Sequence, residues 1–384
     1  MGYDLVISEE DYGDSGVQLS EEVERYLDKM HGEVSRTFDA ALQKLSGTVK
    51  SQVQTGYLMC RIPDTIEDSN QLSGEEKYSL LNQYREVLKD PDQRNVGEFV
   101  RNVFDDLGKT EIGEFGAQTD NLDSVKVGAI GDHTYGSEKD ASYWDLVKNT
   151  HAVTHAFQRF DSEIKEYMRD AVDEMSYGMA QYSKDAYENG DSGIRIKDFD
   201  ELEQYCHYVA GTVGDLLTNV FSEHEDMPED IENYSEGFGQ FLQTVNIIKD
   251  PLEDFEKESA IFIPEEALPT DLRHKDLQEA LKNQDSKVLN EPIQELTHRA
   301  DKKSESAKKY IEQIEKDSEI RGYVEVPFLL AKATLREAHK NPEKAIEGDL
   351  SIEREEVMNI LAASGKNDLQ DLTNTIEQRP LHES

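Results

Sequence analysis

Two short acidic clusters in this chain have the residue types and the spacing for binding a divalent cation. In the first, Asp64 and Asp68 are four residues apart and face the same side of a helix. Tyr57, Arg61 and Glu67 lie on or beside that face. Mg²⁺ commonly takes one or two carboxylates and completes its shell with water and substrate phosphates. The competing interpretation is a solvated acidic surface, since the chain has 82 acidic residues.

The second cluster places Asn246, Asp250 and Asp254 at four-residue intervals. The segment before it, 241–248, is apolar, so we expect its polar stripe to face inward. Pro251 lacks an amide hydrogen and clashes with the preceding turn, which predicts a kink at the aspartates. Two such helices facing each other across a cavity would hold metal ions against a diphosphate leaving group and stabilise its departing charge.

Two further motifs have both a ligand-binding and a purely structural interpretation. Ser35, Arg36 and Thr37 stand at a predicted helix start. Their hydroxyls, the free amides and the guanidinium could hold a phosphate, or the motif could be an ordinary helix cap. In the segment 205–214, the small residues at positions 210, 211 and 214 either let helices pack closely or leave space for a ligand.

The histidines and cysteines do not indicate a metal or a disulfide framework. His151 and His155 are four residues apart, but the glutamate of a zinc-protease motif and a third ligand are missing from their surroundings. Cys60 and Cys206 lie in apolar helical patterns and are expected to be small core residues. The sequence contains no GxGxxG loop, so a nicotinamide cofactor would bind outside a Rossmann unit.

The elements that must position these residues are helices, because apolar side chains recur at intervals of three and four. This pattern covers 20–30, 38–60, 75–89, 96–107, 144–187, 199–221, 237–248, 276–287, 291–316, 320–339 and 352–364. It predicts an all-α domain over 20–365. We expect a short segment before it (1–19), a glycine-rich surface insertion at about 105–137, and a polar tail at 366–384 that frays.

Composition excludes several functional classes. The chain has 384 residues and a formal net charge of −41, which repels nucleic acid and anionic membranes. A folded protein with so many surface carboxylates is typical of adaptation to high internal salt, where repulsion is screened. The sequence shows no signal peptide and no apolar run long enough to span a membrane, so we expect a cytoplasmic protein.

Four blocks of sequence occur together in a recognisable order. They are SRTF at 35–38, YLMCRIPDTIED at 57–68, YCHYVAGTVG at 205–214 and FLQTVNIIKDPLED at 241–254. EMSYGMAQY at 174–182 and VPFLLAKATL at 326–335 accompany them. Together these blocks resemble the squalene and phytoene synthase family, and they are closest to its squalene synthase branch. The resemblance implies a single-domain isoprenoid synthase fold, an all-α bundle around a central cavity.

The resemblance also implies an activity. Two farnesyl diphosphate molecules would condense head to head through presqualene diphosphate, and NADPH would then reduce the product to squalene. Peripheral contact with a membrane during product release is left open. The implied Mg²⁺ ligands are Asp64, Glu67, Asp68, Asp250 and Asp254.

The same resemblance assigns the remaining roles. The implied catalytic residues are Arg61, Tyr57 and Tyr205, with Tyr205 steering proton loss in the first half-reaction. The implied substrate-binding residues are Ser35, Arg36, Thr37, Gln243, Asn246 and Lys249. The candidates for binding NADPH are Lys139, Asn246 and Lys332.

Two alternatives remain open at this point. A phytoene or dehydrosqualene synthase shares the first half-reaction and lacks the reduction. The stretch 348–354 has little positive charge where the squalene branch tends to be basic near its cofactor, and this keeps that alternative open. A non-catalytic helical binding protein is the other alternative, and the intact aspartates argue against it.

Overall fold

A computed structural model describes residues 21–35, 37–108 and 138–382. These residues form helices, which confirms the all-α prediction, and the described part of the chain contains no strand beyond one isolated bridge between Arg195 and Ile261. The helices are α1 Glu21–Ser35, α2 Thr37–Leu42, α3 Gly47–Glu67, α4 Gly74–Lys89, α5 Gln93–Asp106, α6 Glu138–Lys148, α7 Thr150–Gln158, α8 Ser162–Asn189, α9 Phe199–Cys206, α10 Thr212–Ser222, α11 Glu232–Lys249, α12 Pro251–Glu258, α13 His274–Asn283, α14 Ser286–Gln313, α15 Glu319–Lys340, α16 Glu343–Glu347, α17 Arg354–Ala363 and α18 Leu369–Gln378. A π-helical segment, His207–Gly211, joins α9 to α10, and a short 3₁₀ helix covers Glu265–Ala267.

The chain divides into two compact units. The N-terminal unit comprises Met1–Asp39 and Gly47–Lys184, and the C-terminal unit comprises Ala40–Ser46 and Asp185–Ser384. The predicted N-terminal segment 1–19 and most of the predicted insertion, 109–137, lie outside the described residues. Among the described residues, no helix is long and apolar enough to cross a membrane.

Helix α3 forms the centre of the N-terminal unit and contacts α1, α4, α6 and α7. Its apolar side chains, including Ile62 and Ile66, are fully buried. The hydroxyl of Tyr84 on α4 donates a hydrogen bond to the Met59 carbonyl at 3.0 Å, which satisfies a buried polar group and fixes α4 against α3. Helix α4 begins at a capping box made by Ser73 and Glu76. Helix α3 is therefore held along its length before the aspartates at its end.

Helices α11, α14 and α15 form the core of the C-terminal unit. Phe241 of α11 packs against Phe328 of α15, with ring centroids 5.6 Å apart. The buried charges of α15 are paired, because an unpaired charge in the interior is strongly destabilising. Arg321 binds Glu325 at 2.9 Å, and Arg336 binds Glu356 at 2.7 Å.

The C-terminal region differs from the predicted polar tail. Residues 369–378 form α18, whose Leu372 and Ile376 are buried and which packs on α15. The Arg336 guanidinium donates to the Ile376 carbonyl at 3.0 Å. The helix is amphipathic, and its short apolar stripe is stable because α15 covers it.

Four predicted helical segments are interrupted, and one of them, 276–287, breaks between α13 and α14, where Gln284 has φ +51°. The segment 38–60 breaks between α2 and α3, where Gly47 has φ +57°, and 144–187 breaks at Asn149 and again before Ser162. The segment 199–221 contains the π-helical turn. Apolar periodicity continues across each break, so it does not reveal where the backbone leaves the α-helix.

Candidate functional site

The first acidic cluster lies on the last turns of α3 in the N-terminal unit. The Arg61 guanidinium binds the Asp64 carboxylate at 3.0 Å and the Asp68 carboxylate at 3.5 Å. The three side chains are each between one fifth and one third exposed. The i, i+3 and i+4 geometry of a helix brings Arg61, Asp64 and Asp68 to one face, as the spacing predicts.

The charges in this cluster strongly affect one another. Burial raises the pKa of Asp64 to about 7, and the neighbouring Asp68 carboxylate also raises it, while Arg61 opposes both effects. Burial lowers the pKa of Arg61, but the two carboxylates outweigh it and hold that pKa above its ordinary value. A cation beside Asp64 therefore favours the ionised form of this carboxylate.

Glu67 has a different environment from the two aspartates. Glu67 is only 5% exposed, and its backbone carbonyl accepts a hydrogen bond from the Lys77 ammonium of α4 at 2.5 Å. The end of α3 is thus fastened to α4 at this point. The role of Glu67 as a metal ligand stays a prediction.

Tyr57 lies one turn before Arg61, and its hydroxyl donates to the Val34 carbonyl at 3.2 Å. Its ring packs against His31 at 4.9 Å and Phe38 at 5.8 Å between centroids. Burial raises its pKa, so the phenol stays protonated near neutral pH. Tyr57 therefore presents a neutral aromatic surface beside the acidic cluster.

The phosphate-binding residues predicted at 35–37 are only partly described. Ser35 ends α1, and its hydroxyl lies 3.3 Å from the His31 ring, which in turn lies 3.3 Å from the Asp39 carboxylate. Thr37 begins α2, so a helix does start where the motif predicts one. Arg36 and the side chain of Thr37 lie outside the described residues.

The second acidic cluster lies at a junction between helices in the C-terminal unit. Helix α11 ends at Lys249, and α12 begins at Pro251. Asp250 between them has φ −119° and ψ 30°, so the predicted kink is a complete break. Proline suits the first position of a helix, because no amide is needed there. The Asp254 amide donates to the Asp250 carbonyl at 2.9 Å, so the two aspartates lie on the same helical turn.

A lysine neutralises the first aspartate of this junction. The Lys249 ammonium lies 2.9 Å and 2.7 Å from the two carboxylate oxygens of Asp250. The Asp250 side chain does not cap α12. Asn246 is exposed and Gln243 is half-buried, so these polar side chains of α11 are accessible to solvent, and their position along a cavity stays a prediction. The buried face of α11 is apolar, with Phe241 among its residues.

Tyr205 lies in the last turn of α9, two residues before the π-helical segment. It is 3% exposed, and its ring stacks on Phe262 with centroids 4.8 Å apart. Both residues belong to the C-terminal unit. Cys206, the next residue, is buried, and burial raises the pKa of its thiol to about 12, so it is the small core residue that the pattern predicts.

Small residues let α11 approach the π-helical segment and α10 backbone to backbone. A Cβ atom at Gly214 would collide with the Ser235 carbonyl oxygen, and one at Gly239 would collide with that of Ala210. At Gly211 it would lie 2.9 Å from Cγ of Glu236. Close packing, rather than space for a ligand, is therefore the role of the glycines at 211 and 214.

Among the residues predicted to bind NADPH, the structure describes the surroundings of Lys332 in most detail. The Lys332 ammonium is 5% exposed and is bound by Glu377 at 2.8 Å and Asp301 at 3.3 Å. The side chain of Lys139 lies outside the described residues. Two carboxylates therefore already neutralise Lys332, and the binding of NADPH by Lys139, Asn246 and Lys332 stays a prediction.

Two features of these regions were not predicted. The ring of Tyr143 on α6 lies 4.5 Å from the Arg61 guanidinium carbon. Near the π-helical segment, the Glu236 carboxylate accepts from Gln240 at 2.6 Å and lies 3.0 Å from the His207 ring. Neither arrangement has a local sequence signal, because partners 82 and 29 residues apart meet only through tertiary packing.

A comparison with protein families decides the family of this chain. The sequence profile of Squalene/phytoene synthase matches residues 31–356, a range that contains both acidic clusters and Tyr205. The chain belongs to the squalene/phytoene synthase family. The matched range contains every motif on which the resemblance rests.

Several relatives within the squalene/phytoene synthase family are similar over most of this chain. Squalene synthase clz20 of Cochliobolus lunatus is 31% identical over 80% of this chain and 64% of its own length. The squalene synthase of Mus musculus is 26% identical over 87% of this chain and 68% of its own length. The Botryococcus squalene synthase of Botryococcus braunii is 30% identical over 61% of this chain. The chain spans between 41% and 68% of the length of these curated relatives.

Solved structures of the family share the fold. TcSQS in complex with the ligand BPH1237 superposes with a TM-score of 0.71 at 20% identity, covering 93% of this chain and 90% of that one. A dehydrosqualene synthase in complex with ligand gives a TM-score of 0.51 at 14% identity, covering 94% of this chain and 98% of that one. The isoprenoid synthase fold implied by the motifs is confirmed.

Proposed function

We propose that this protein is a squalene synthase. It condenses two farnesyl diphosphate molecules head to head through presqualene diphosphate and reduces the product to squalene with NADPH. The observation that carries the proposal is the pair of aspartate clusters within the matched region, each beginning with a carboxylate bound to a basic side chain. The three curated relatives named above carry the name squalene synthase, which supports the same reaction.

The acidic clusters fit Mg²⁺ bound together with substrate. The described residues contain no group of three or more metal-ligating side chains that would form a complete protein cage. Mg²⁺ usually takes only one or two carboxylates and fills its shell with water and phosphate oxygens. Asp64 with Asp68, and Asp250 with Asp254, offer that donor set. When bound, the ion would neutralise the charge that develops on the departing diphosphate.

The basic residue of each cluster would contact the oxygens of the diphosphate leaving group. Arg61 and Lys249 are held by aspartates before substrate arrives. If a metal ion replaced them as the partner of these aspartates, each basic side chain could donate hydrogen bonds to the diphosphate oxygens. Pre-placed donors stabilise a leaving group without reorganising at the moment of reaction. The aromatic faces of Tyr57 and Tyr205 would stabilise carbocations and exclude water.

The reductive half-reaction rests on sequence rather than on a cofactor site. Two motifs that resemble the squalene synthase branch support it, YCHYVAGTVG and FLQTVNIIKDPLED. The names of the curated relatives also support it. No residue is assigned to NADPH. A phytoene or dehydrosqualene synthase is the second candidate, favoured by the acidic partners of Lys332 and the low positive charge of 348–354.

Product analysis tests this proposal. The purified protein in molar KCl receives farnesyl diphosphate or geranylgeranyl diphosphate, each with and without MgCl₂ and with and without NADPH. The products are identified by mass spectrometry, and released diphosphate is measured. We expect squalene only with NADPH, and presqualene diphosphate or dehydrosqualene-like products without it. The same hydrocarbon under both conditions, or consumption of geranylgeranyl diphosphate alone, would establish the non-reducing alternative. Absence of metal-dependent diphosphate release would exclude both enzymes.

A further inference from the structure

The Arg61 guanidinium is enclosed by more than its two aspartates. Its terminal nitrogens bind Asp64 and Asp68, while its Nε atom is buried and makes no hydrogen bond. The ring of Tyr143 lies 4.5 Å from the guanidinium carbon. An aromatic face stabilises a cation at this distance, particularly where water is excluded. Tyr143 thus adds an aromatic contact to the two ion pairs of the guanidinium.

The position of Tyr143 is fixed by the packing of α6. The next residue, Trp144, is 4% exposed and packs against Phe104 with ring centroids 6.2 Å apart. The Tyr26 hydroxyl donates to the Asp145 carbonyl at 3.1 Å. Because residues on both α1 and α5 hold this helix, the backbone that carries the half-buried Tyr143 ring is fixed in place.

We propose that Tyr143 is a positioning residue for the diphosphate site. Its ring holds Arg61 at one place between Asp64 and Asp68, so that the guanidinium is aligned when a diphosphate with Mg²⁺ arrives. This inference rests on the proposed function of the first acidic cluster. Removing the ring lets the long Arg61 side chain sample other rotamers, and substrate binding then has to restore its orientation.

The test compares Tyr143→Leu with Tyr143→Phe in the full-length protein. Binding of inorganic pyrophosphate in the presence of MgCl₂ is measured by calorimetry, and KM and kcat are measured with farnesyl diphosphate. For Tyr143→Leu we expect the pyrophosphate Kd and the KM to rise about three- to thirtyfold, with kcat changed less than about twofold. Tyr143→Phe keeps the ring face and should bind pyrophosphate within about twofold of the parent protein.

The chain supplies a matched control. The ring of Tyr177 covers the Arg85 guanidinium at 5.1 Å, and Arg85 binds Asp173 rather than the acidic cluster. Tyr177→Leu removes the same kind of contact and should leave pyrophosphate binding unchanged. Equal thermal midpoints for the two leucine variants would show that the difference is not one of folding.

Three results would overturn the proposal: a parental pyrophosphate Kd in Tyr143→Leu, equal losses in Tyr143→Leu and Tyr143→Phe, or an equal loss in Tyr177→Leu. Asp64→Asn separates this failure from failure of the proposed function. If Asp64→Asn also binds pyrophosphate with Mg²⁺ as the parent does, the acidic cluster is not the diphosphate site. If Asp64→Asn loses binding and Tyr143→Leu does not, only the role of Tyr143 is refuted.

Discussion

The close contact between α10 and α11 makes a sharp prediction for Gly214→Ala. The added methyl group would collide with the Ser235 carbonyl oxygen and would lie 2.9 Å from the carbonyl carbon. Both are backbone atoms, so no side-chain rotation relieves the clash, and the helices must separate. Separation would also disturb the hydrogen bond from the Ser235 hydroxyl to Asp215.

The expected change in the free energy of unfolding is the difference between a steric cost and a gain in helix propensity. Overpacking in a well-packed contact destabilises by about 1–3 kcal/mol, occasionally more, and a backbone clash belongs at the upper end. Replacing glycine by alanine inside a helix stabilises the helix by about 1 kcal/mol, because alanine has the higher helix propensity. We therefore expect Gly214→Ala to lower the free energy of unfolding by about 2 kcal/mol.

Urea unfolding followed by circular dichroism in molar KCl measures this change. Gly97→Ala is the matched control, because Gly97 lies inside α5 and a Cβ atom there would meet nothing within 4 Å. This control should gain about 0.4–1 kcal/mol, since alanine restricts the unfolded chain and favours the helix. If Gly214→Ala were as stable as the parent protein or more so, the backbone contact between α10 and α11 would not exist as described.

Three further predictions concern the metal site, salt and acid. Asp64→Asn and Asp250→Asn should each lower kcat about 10²-fold or more with an unchanged thermal midpoint, and near-parental turnover in both variants would remove the acidic clusters from the mechanism. Because of the net charge of −41, the thermal midpoint should rise as KCl increases from about 0.1 M to molar concentrations, and a constant midpoint would contradict the inference of salt adaptation. Burial, followed by the charge of a neighbouring histidine, lowers the pKa of His151 to about 4. The unfolded chain therefore binds this proton first, and about 3 kcal/mol of stability is lost as the pH falls from about 6.5 to 4. His151→Gln should show a correspondingly shallower decline in urea stability between pH 7 and pH 4, and an identical decline would refute this assignment.

Local periodicity in the sequence was sufficient to predict the fold class and the members of the first acidic cluster. Asp64, Asp68 and Arg61 share a helical face because the α-helix repeats every 3.6 residues, and no distant contact is needed to bring them together. The burial of Cys60 and Cys206 follows from the same apolar pattern. These features depend on residues within about one turn of each other, so the sequence by itself determined them.

Tertiary structure decided the features that depend on residues distant in sequence. The role of Gly214 depends on the Ser235 carbonyl of another helix, and the charge of Lys332 is neutralised by Asp301 and Glu377. Helix α18 forms where the sequence predicts a polar tail, because α15 covers its short apolar stripe. Tyr143 meets Arg61 only through the packing of α6 on α3. Periodicity records which face of a helix is apolar, but the partner of that face is set by how the helices pack against one another.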